Sequence, residues 1–106
     1  MVPTQDRESF SNSAFTLAAG LSEAARRLDH AESVEEFVAA VQAHHQVWRR
    51  LREVGPRLGV TIPDRILAFS LAAPAKVRHG LDDDAVEALI RWDRAVSAAI
   101  TEAFPG

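Results

Sequence analysis

Apolar residues recur at alternating spacings of three and four along this sequence, in four segments that Gly and Pro separate. In the first segment the repeat consists of Phe10, Ala14, Leu17, Leu21, Ala24 and Leu28. This spacing places the side chains along one side of an α-helix. No stretch of useful length alternates with a period of two, so the pattern predicts helices and no sheet.

Residues at the ends of the segments indicate where the helices begin and end. Ser33–Glu36 has the form of a capping box, and Gly55-Pro56 closes the segment that follows it. Pro63 suits a first helical turn, Gly80 a helix end, and the acidic run Asp82–Asp84 the positive end of a helix dipole. We therefore expect helices over about 8–29, 33–54, 63–79 and 82–104.

Pro74 lies inside the third segment. A proline removes one helical hydrogen bond and clashes with the carbonyl four residues before it, so we expect a kink or a break between Ser70 and Ala73. Four amphipathic helices with short connections predict an all-α fold: a four-helix antiparallel bundle, forming a single domain over residues 1–106, with its third helix kinked near Pro74.

Composition excludes several classes of function. The 106 residues include no Cys, and 12 basic residues against 15 acidic ones give a net charge of -3. Nucleic-acid binders usually carry a basic stripe, whereas the only dense basic cluster here, Arg49, Arg50 and Arg52, is interpreted as a solvated helix face. No segment has the length of a membrane span or the form of a leader, so we expect a cytoplasmic protein without nucleic-acid or membrane partners.

Two polar residues interrupt the apolar stripes of the second and fourth helices. His44 lies between Val41 and Trp48, and Asp93 lies between Leu89 and Val96. A buried carboxylate without a partner is costly, so Asp93 must reach solvent or be paired. Two alternatives stay open: His44 and Asp93 pair between the helices, or both stripes tilt and leave these residues at the edge of the bundle.

Neither residue indicates catalysis or a metal site. Ser70 and Ser97 are available as nucleophiles, but no recognisable nucleophile turn surrounds them. His44 and His45 are adjacent, so on a helix their side chains point about 100° apart and do not converge on one ion. The five glycines are scattered and form no phosphate loop. We expect no enzymatic activity, no metal and no cofactor.

The two tryptophans, Trp48 and Trp92, lie on the helices that carry His44 and Asp93. Large aromatic residues at helical spacing usually belong to the core. Alternatively they line a groove for a partner helix, where aromatic anchors supply much of the binding energy.

Two sequence elements resemble the FlaF family, flagellar biosynthesis regulators of alphaproteobacteria. The family has an Asn, two variable positions and then Leu-Trp on a central helix, where this chain has His44, His45, Gln46 and then Val47-Trp48. A later Leu-Ile-x-x-Asn-Arg element corresponds to Leu89 through Asp93-Arg94. Between them, Ile62 to Leu71 resembles the family's Leu-Pro, Arg and apolar helix, so the resemblance covers about residues 34–104. The two residues that differ from the family's Asn are His44 and Asp93.

The resemblance implies a small, non-enzymatic cytoplasmic regulator that supports flagellin synthesis and secretion through chaperone-like binding of flagellin. The alternative is a helical protein–protein interaction module of an unrelated pathway. Independently of the resemblance, the candidate site residues, for a structural polar pair and a partner groove, are His44, Trp48, Trp92, Asp93 and Arg94. The sequence leaves the oligomeric state open.

Overall fold

The computed structural model describes residues 4–76 and 82–104, and these residues form an all-α bundle, as predicted. The helices are α1 (Thr4–His30), α2 (Val34–Val54), α3 (Asp64–Lys76) and α4 (Asp83–Ala103). A short 3-10 helix, Gly55–Leu58, connects α2 to α3. The described residues contain no strand, and none of their helices is long and apolar enough to span a membrane.

Side-chain caps begin two of the helices where the sequence predicts them. The Glu36 amide donates to Ser33 Oγ at 3.1 Å, and the Ala85 amide donates to Asp82 Oδ1 at 2.8 Å. The Glu36 carboxylate accepts from the amide of Glu32 at 3.0 Å, one residue before the position that a standard capping box uses. Both caps satisfy amides that have no partner within the helix.

The main differences from the expected helix bounds are in the first and third helices. The first helix begins at Thr4, four residues before the expected start. The third begins at Asp64 and continues through Pro74 to Lys76, so it is not broken at the proline, and the kink stays a prediction. Its expected end near residue 79 lies outside the described residues. Val34 has the spacing of the apolar stripe of α2, since it lies two turns before Val41, but it is 76% exposed because it is the first residue of that helix, beside the turn from α1.

Each helix packs against one or two of the others. The long α1 packs along both α2 and α4, and α3 packs on α2. Ser97 of α4 bonds to Ala18 and Ser22, and Arg94 lies near Asp29, so α1 and α4 run antiparallel. Among the described residues, the backbones of α3 and α4 do not lie as close together as those of α1 and α2, α1 and α4, or α2 and α3.

Buried apolar side chains form two clusters along the bundle. One cluster is built around Trp48, Leu51, Val96 and Ile100, and it includes Leu17 and Leu21 of α1 and Ile66 of α3. The second cluster, towards the turn between α1 and α2, consists of Leu28, Ala40, Val41, Ala73 and Leu89. Along α2, α3 and α4, one buried polar residue lies between members of the two clusters: His44, Ser70 and Asp93 respectively.

α1 and α2 are in tight contact at Gly20. A Cβ atom at this position would lie 2.9 Å from Cγ2 of Val47, closer than carbon atoms approach without a shift. Val47 is β-branched and has little freedom to rotate away on a helix. Gly20 therefore allows the two helices to approach each other at this level.

Replacing Gly20 by Ala is expected to destabilise the protein by about 1 kcal/mol, although Ala normally stabilises a helix interior by about 0.5–1 kcal/mol relative to Gly. The reason is the overlap with Val47. In a Val47→Ala background the same substitution should become stabilising, because the overlap is gone. Urea unfolding of the four proteins measures both effects. Stabilisation in both backgrounds would show that the helices do not approach closely at Gly20.

Candidate functional site

Two residues of α2 and one residue of α4 form a buried polar cluster at the centre of the bundle. His44 and Trp48 are four residues apart, so their side chains lie on the same face of α2, one turn from each other. Asp93 lies in the middle of α4 and faces them. None of the three side chains is accessible to solvent. The backbones of α2 and α4 are not close neighbours, so the side chains bridge the distance between them.

The Asp93 carboxylate accepts hydrogen bonds on both of its oxygens. Oδ2 lies 2.9 Å from His44 Nδ1, and Oδ1 accepts from Trp48 Nε1 at 2.6 Å. Since a carboxylate only accepts, the hydrogen of the first bond is on Nδ1 of the imidazole. The His44 and Trp48 rings pack against each other with centroids 5.6 Å apart. Of the two alternatives that the sequence left open for His44 and Asp93, the structure shows the pair.

The other two candidate residues have different surroundings. Trp92 is half-buried and packs against the larger apolar cluster, and Arg94 is exposed, with Nη2 3.4 Å from Asp29 Oδ2. Each is adjacent to Asp93 in sequence, so it points about 100° away on the helix. The structure thus brings together His44, Trp48 and Asp93, and leaves Trp92 and Arg94 outside the cluster.

For the tryptophans, the structure separates the two interpretations. Trp48 has no accessible surface, so it belongs to the core and does not line a groove. Only Trp92 keeps accessible surface. The sequence did not predict that the indole N–H of Trp48 would be the second donor to Asp93, because the spacing of four from His44 places Trp48 on the same face of α2 but does not show what its N–H contacts.

The polar groups of the cluster are closed to solvent. His44 Nε2 is buried and has no hydrogen-bond partner among the described residues. Of the two candidate nucleophiles, Ser97 donates to the Ala18 carbonyl at 2.8 Å, and Ser70 is fully buried. A substrate would have to enter the core to reach any of these groups. The described residues contain no group of three or more side chains placed to hold a metal ion.

A surface groove of about 560 Å³ runs between α1 and α2. Its floor contains the small residues Gly20, Ala24 and Ala43 together with Val47, and Arg49 and Arg50 lie on its rim. The complete lining also includes Thr16, Leu17, Glu23, Arg27, Gln46 and Glu53.

Some charged side chains along the groove form ion pairs with residues of their own helix, and others form none. Glu23 is paired with Arg26 and Arg27 of its own helix. The hydrogen bond from Arg26 is the main cause that lowers the pKa of Glu23 to about 2, so this carboxylate stays ionised and neutralised at physiological pH. Arg49 and Arg50 take part in none of the ion pairs found among the described residues. The groove therefore presents two unpaired cations, together with one unpaired carboxylate, Glu53, which follows them on α2.

The chain matches no protein-family model, no curated protein and no solved structure.

Proposed function

We propose that this chain is a non-enzymatic cytoplasmic regulator similar to the FlaF family, and that it supports flagellin synthesis and secretion by binding flagellin. The observation that carries the proposal is the contact between His44 and Asp93, 2.9 Å apart. His44 and Asp93 each belong to one of the two sequence elements of the resemblance. The fold joins these elements in one cluster, although Trp48 and Asp93, which bond within it, are 45 residues apart in the sequence. Two short matches that arose by chance would have no reason to contact each other in the fold. The contact between the two elements therefore supports a common origin of this chain and the family.

In this proposal the buried cluster is structural. His44, Trp48 and Asp93 have no accessible surface, so they position α2 against α4 and leave recognition to the outside of the bundle. An Asn pair at the family's positions would join the same two helices without a net charge. The His–Asp pair keeps the polar connection with different groups.

The groove between α1 and α2 is the surface that we assign to flagellin. Its floor of small residues permits the backbone of a bound helix to approach closely, as in helix-in-groove recognition. Arg49 and Arg50 on its rim complement acidic side chains along the edge of that helix. The expected ligand is therefore a flagellin helix with one apolar face and an acidic flank.

Isothermal titration with the flagellin encoded in the same genome tests the proposal. We expect binding at micromolar concentration, and a loss of about tenfold or more in affinity for Arg49→Glu combined with Arg50→Glu, because cations on the rim then become anions. The matched control is Arg57→Glu combined with Arg65→Glu, which changes the net charge equally at exposed positions outside the groove lining. Circular dichroism checks that all variants remain folded.

Each outcome of this titration has a distinct meaning. Absence of binding by the unmodified protein contradicts the flagellar function and favours a helical interaction module of another pathway. Binding that both charge reversals weaken equally keeps flagellin as the partner and contradicts the groove as its site.

A further inference from the structure

Three buried side-chain polar atoms have no hydrogen-bond partner among the described residues: His44 Nε2, His45 Nδ1 and Ser70 Oγ. His45 is half-buried, whereas His44 and Ser70 have no accessible surface and lie at the centre of the bundle. Buried polar atoms in proteins are nearly always hydrogen-bonded to protein or to ordered water. Two such atoms in one small core therefore require an explanation.

The core clusters place these two residues at the same level of the bundle. Ser70 lies on α3 between Ile66 of the larger cluster and Ala73 of the smaller one. His44 lies on α2 between Trp48 and Val41, which belong to the same two clusters. Asp93 occupies the equivalent position on α4, between Val96 and Leu89. One polar residue from each of the three helices thus forms the layer between the clusters.

We propose that a single buried water molecule joins His44 Nε2 to the Ser70 hydroxyl. In the neutral ring of His44, Nδ1 carries the hydrogen towards Asp93, and Nε2 is then an acceptor that needs a donor. Pro74 has no N–H to give to the carbonyl of Ser70, so that carbonyl is a second acceptor without its helical donor. A water molecule that donates to both acceptors and accepts from the Ser70 hydroxyl makes three hydrogen bonds, the typical number for a buried water.

This hydration site extends the buried cluster to a third helix. α3 packs closely on α2 but not on α4. The water connects Ser70 through the imidazole of His44 to Asp93, so α3 becomes part of the same hydrogen-bond network as α4. The position of α3 then depends on His44 as well as on apolar packing.

Nuclear magnetic resonance of the full chain, labelled with ¹⁵N, tests the proposal. The unmodified protein should show a hydrogen on Nδ1 of His44 and a long-lived water contact at the ring hydrogens beside Nε2. Ser70→Ala removes one of the water's three partners, so the water contact should weaken and the His44 Nε2 resonance should shift. Ser97→Ala is the matched control, because Ser97 is also buried but bonds to the Ala18 carbonyl, and it should change neither signal.

The spectra of the unmodified protein test the hydration site even if Ser70→Ala fails to fold. A long-lived water contact beside Nε2 supports the hydration site. Its absence overturns the proposal, and so does a direct bond from the Ser70 hydroxyl to Nε2 with no water between them. A Nε2 resonance that is the same in Ser70→Ala as in the unmodified protein also overturns it.

Discussion

Replacing His44 by Leu is expected to lower the free energy of unfolding by about 3–5 kcal/mol. The substitution removes one of the two donors to Asp93 and leaves a carboxylate in a core with no solvent access. Domains of this size are stable by only about 5–15 kcal/mol, so the variant should be close to unfolding at room temperature. Urea unfolding followed by circular dichroism measures the loss.

His44→Asn combined with Asp93→Asn should cost less than the sum of the two single substitutions. The amide of Asn at position 93 can accept from Trp48 Nε1 with its oxygen and donate to Asn at position 44 with its nitrogen, so no charge is buried. Each single substitution instead leaves a mismatched partner in the core. A double-mutant cycle gives the coupling directly.

His45→Leu serves as the control for His44→Leu. His45 is adjacent on α2, is half-buried, and makes none of the hydrogen bonds found among the described side chains. We expect it to change stability by about 1 kcal/mol or less. Equal losses at positions 44 and 45, or strict additivity between positions 44 and 93, would contradict the buried pair.

Replacing Trp48 by Ala is expected to cost at least about 3–5 kcal/mol, the usual loss for truncating a large core residue. The loss includes the cavity left by the indole and the second donor to Asp93. Trp92→Ala removes the same side chain from a half-buried position, so it should cost clearly less. Unfolding curves of the two variants under identical conditions provide the comparison.

Trp48→Phe separates the two contributions to this loss. Phe keeps most of the aromatic contact with the core but has no N–H for Asp93. Hydrogen bonds to charged groups contribute about 1.5–3 kcal/mol, so Trp48→Phe should retain a substantial part of the loss. A Phe variant as stable as the original protein would mean that the bond to Asp93 contributes nothing, and equal losses for the two Ala variants would contradict the burial of Trp48.

The residues that the sequence predicted well are those whose structure depends on near neighbours. Ser33 and Asp82 cap their helices because a short polar side chain can reach amides two or three residues later. The repeat of three and four placed Leu17, Leu21 and Leu89 in the core. Local rules were less accurate at helix ends. The first helix begins at Thr4, before the expected start. Val34 has the spacing of the apolar stripe of α2 but is exposed at the first residue of that helix.

The candidate site was predictable only in part. Periodicity pointed His44 and Asp93 inward, and the cost of a buried carboxylate made their pairing one of two alternatives. Periodicity could not show that Trp48 Nε1 donates to Asp93, because a tryptophan on an apolar stripe gives the same pattern whether or not its N–H is bonded. Trp92 and Arg94 shared the sequence element but not the cluster, because adjacent helical residues face different neighbours.

The sequence by itself determined that this chain forms helices, where most of them begin and end, and which side of each faces inward. These properties follow from backbone capping and from a repeat that each segment carries alone. Only the tertiary structure decided that α1 lies between α2 and α4 and that α3 packs on α2. An apolar stripe is equally well buried against any other apolar stripe, so the lateral order of helices depends on specific fits such as Gly20 against Val47 and Asp93 between His44 and Trp48.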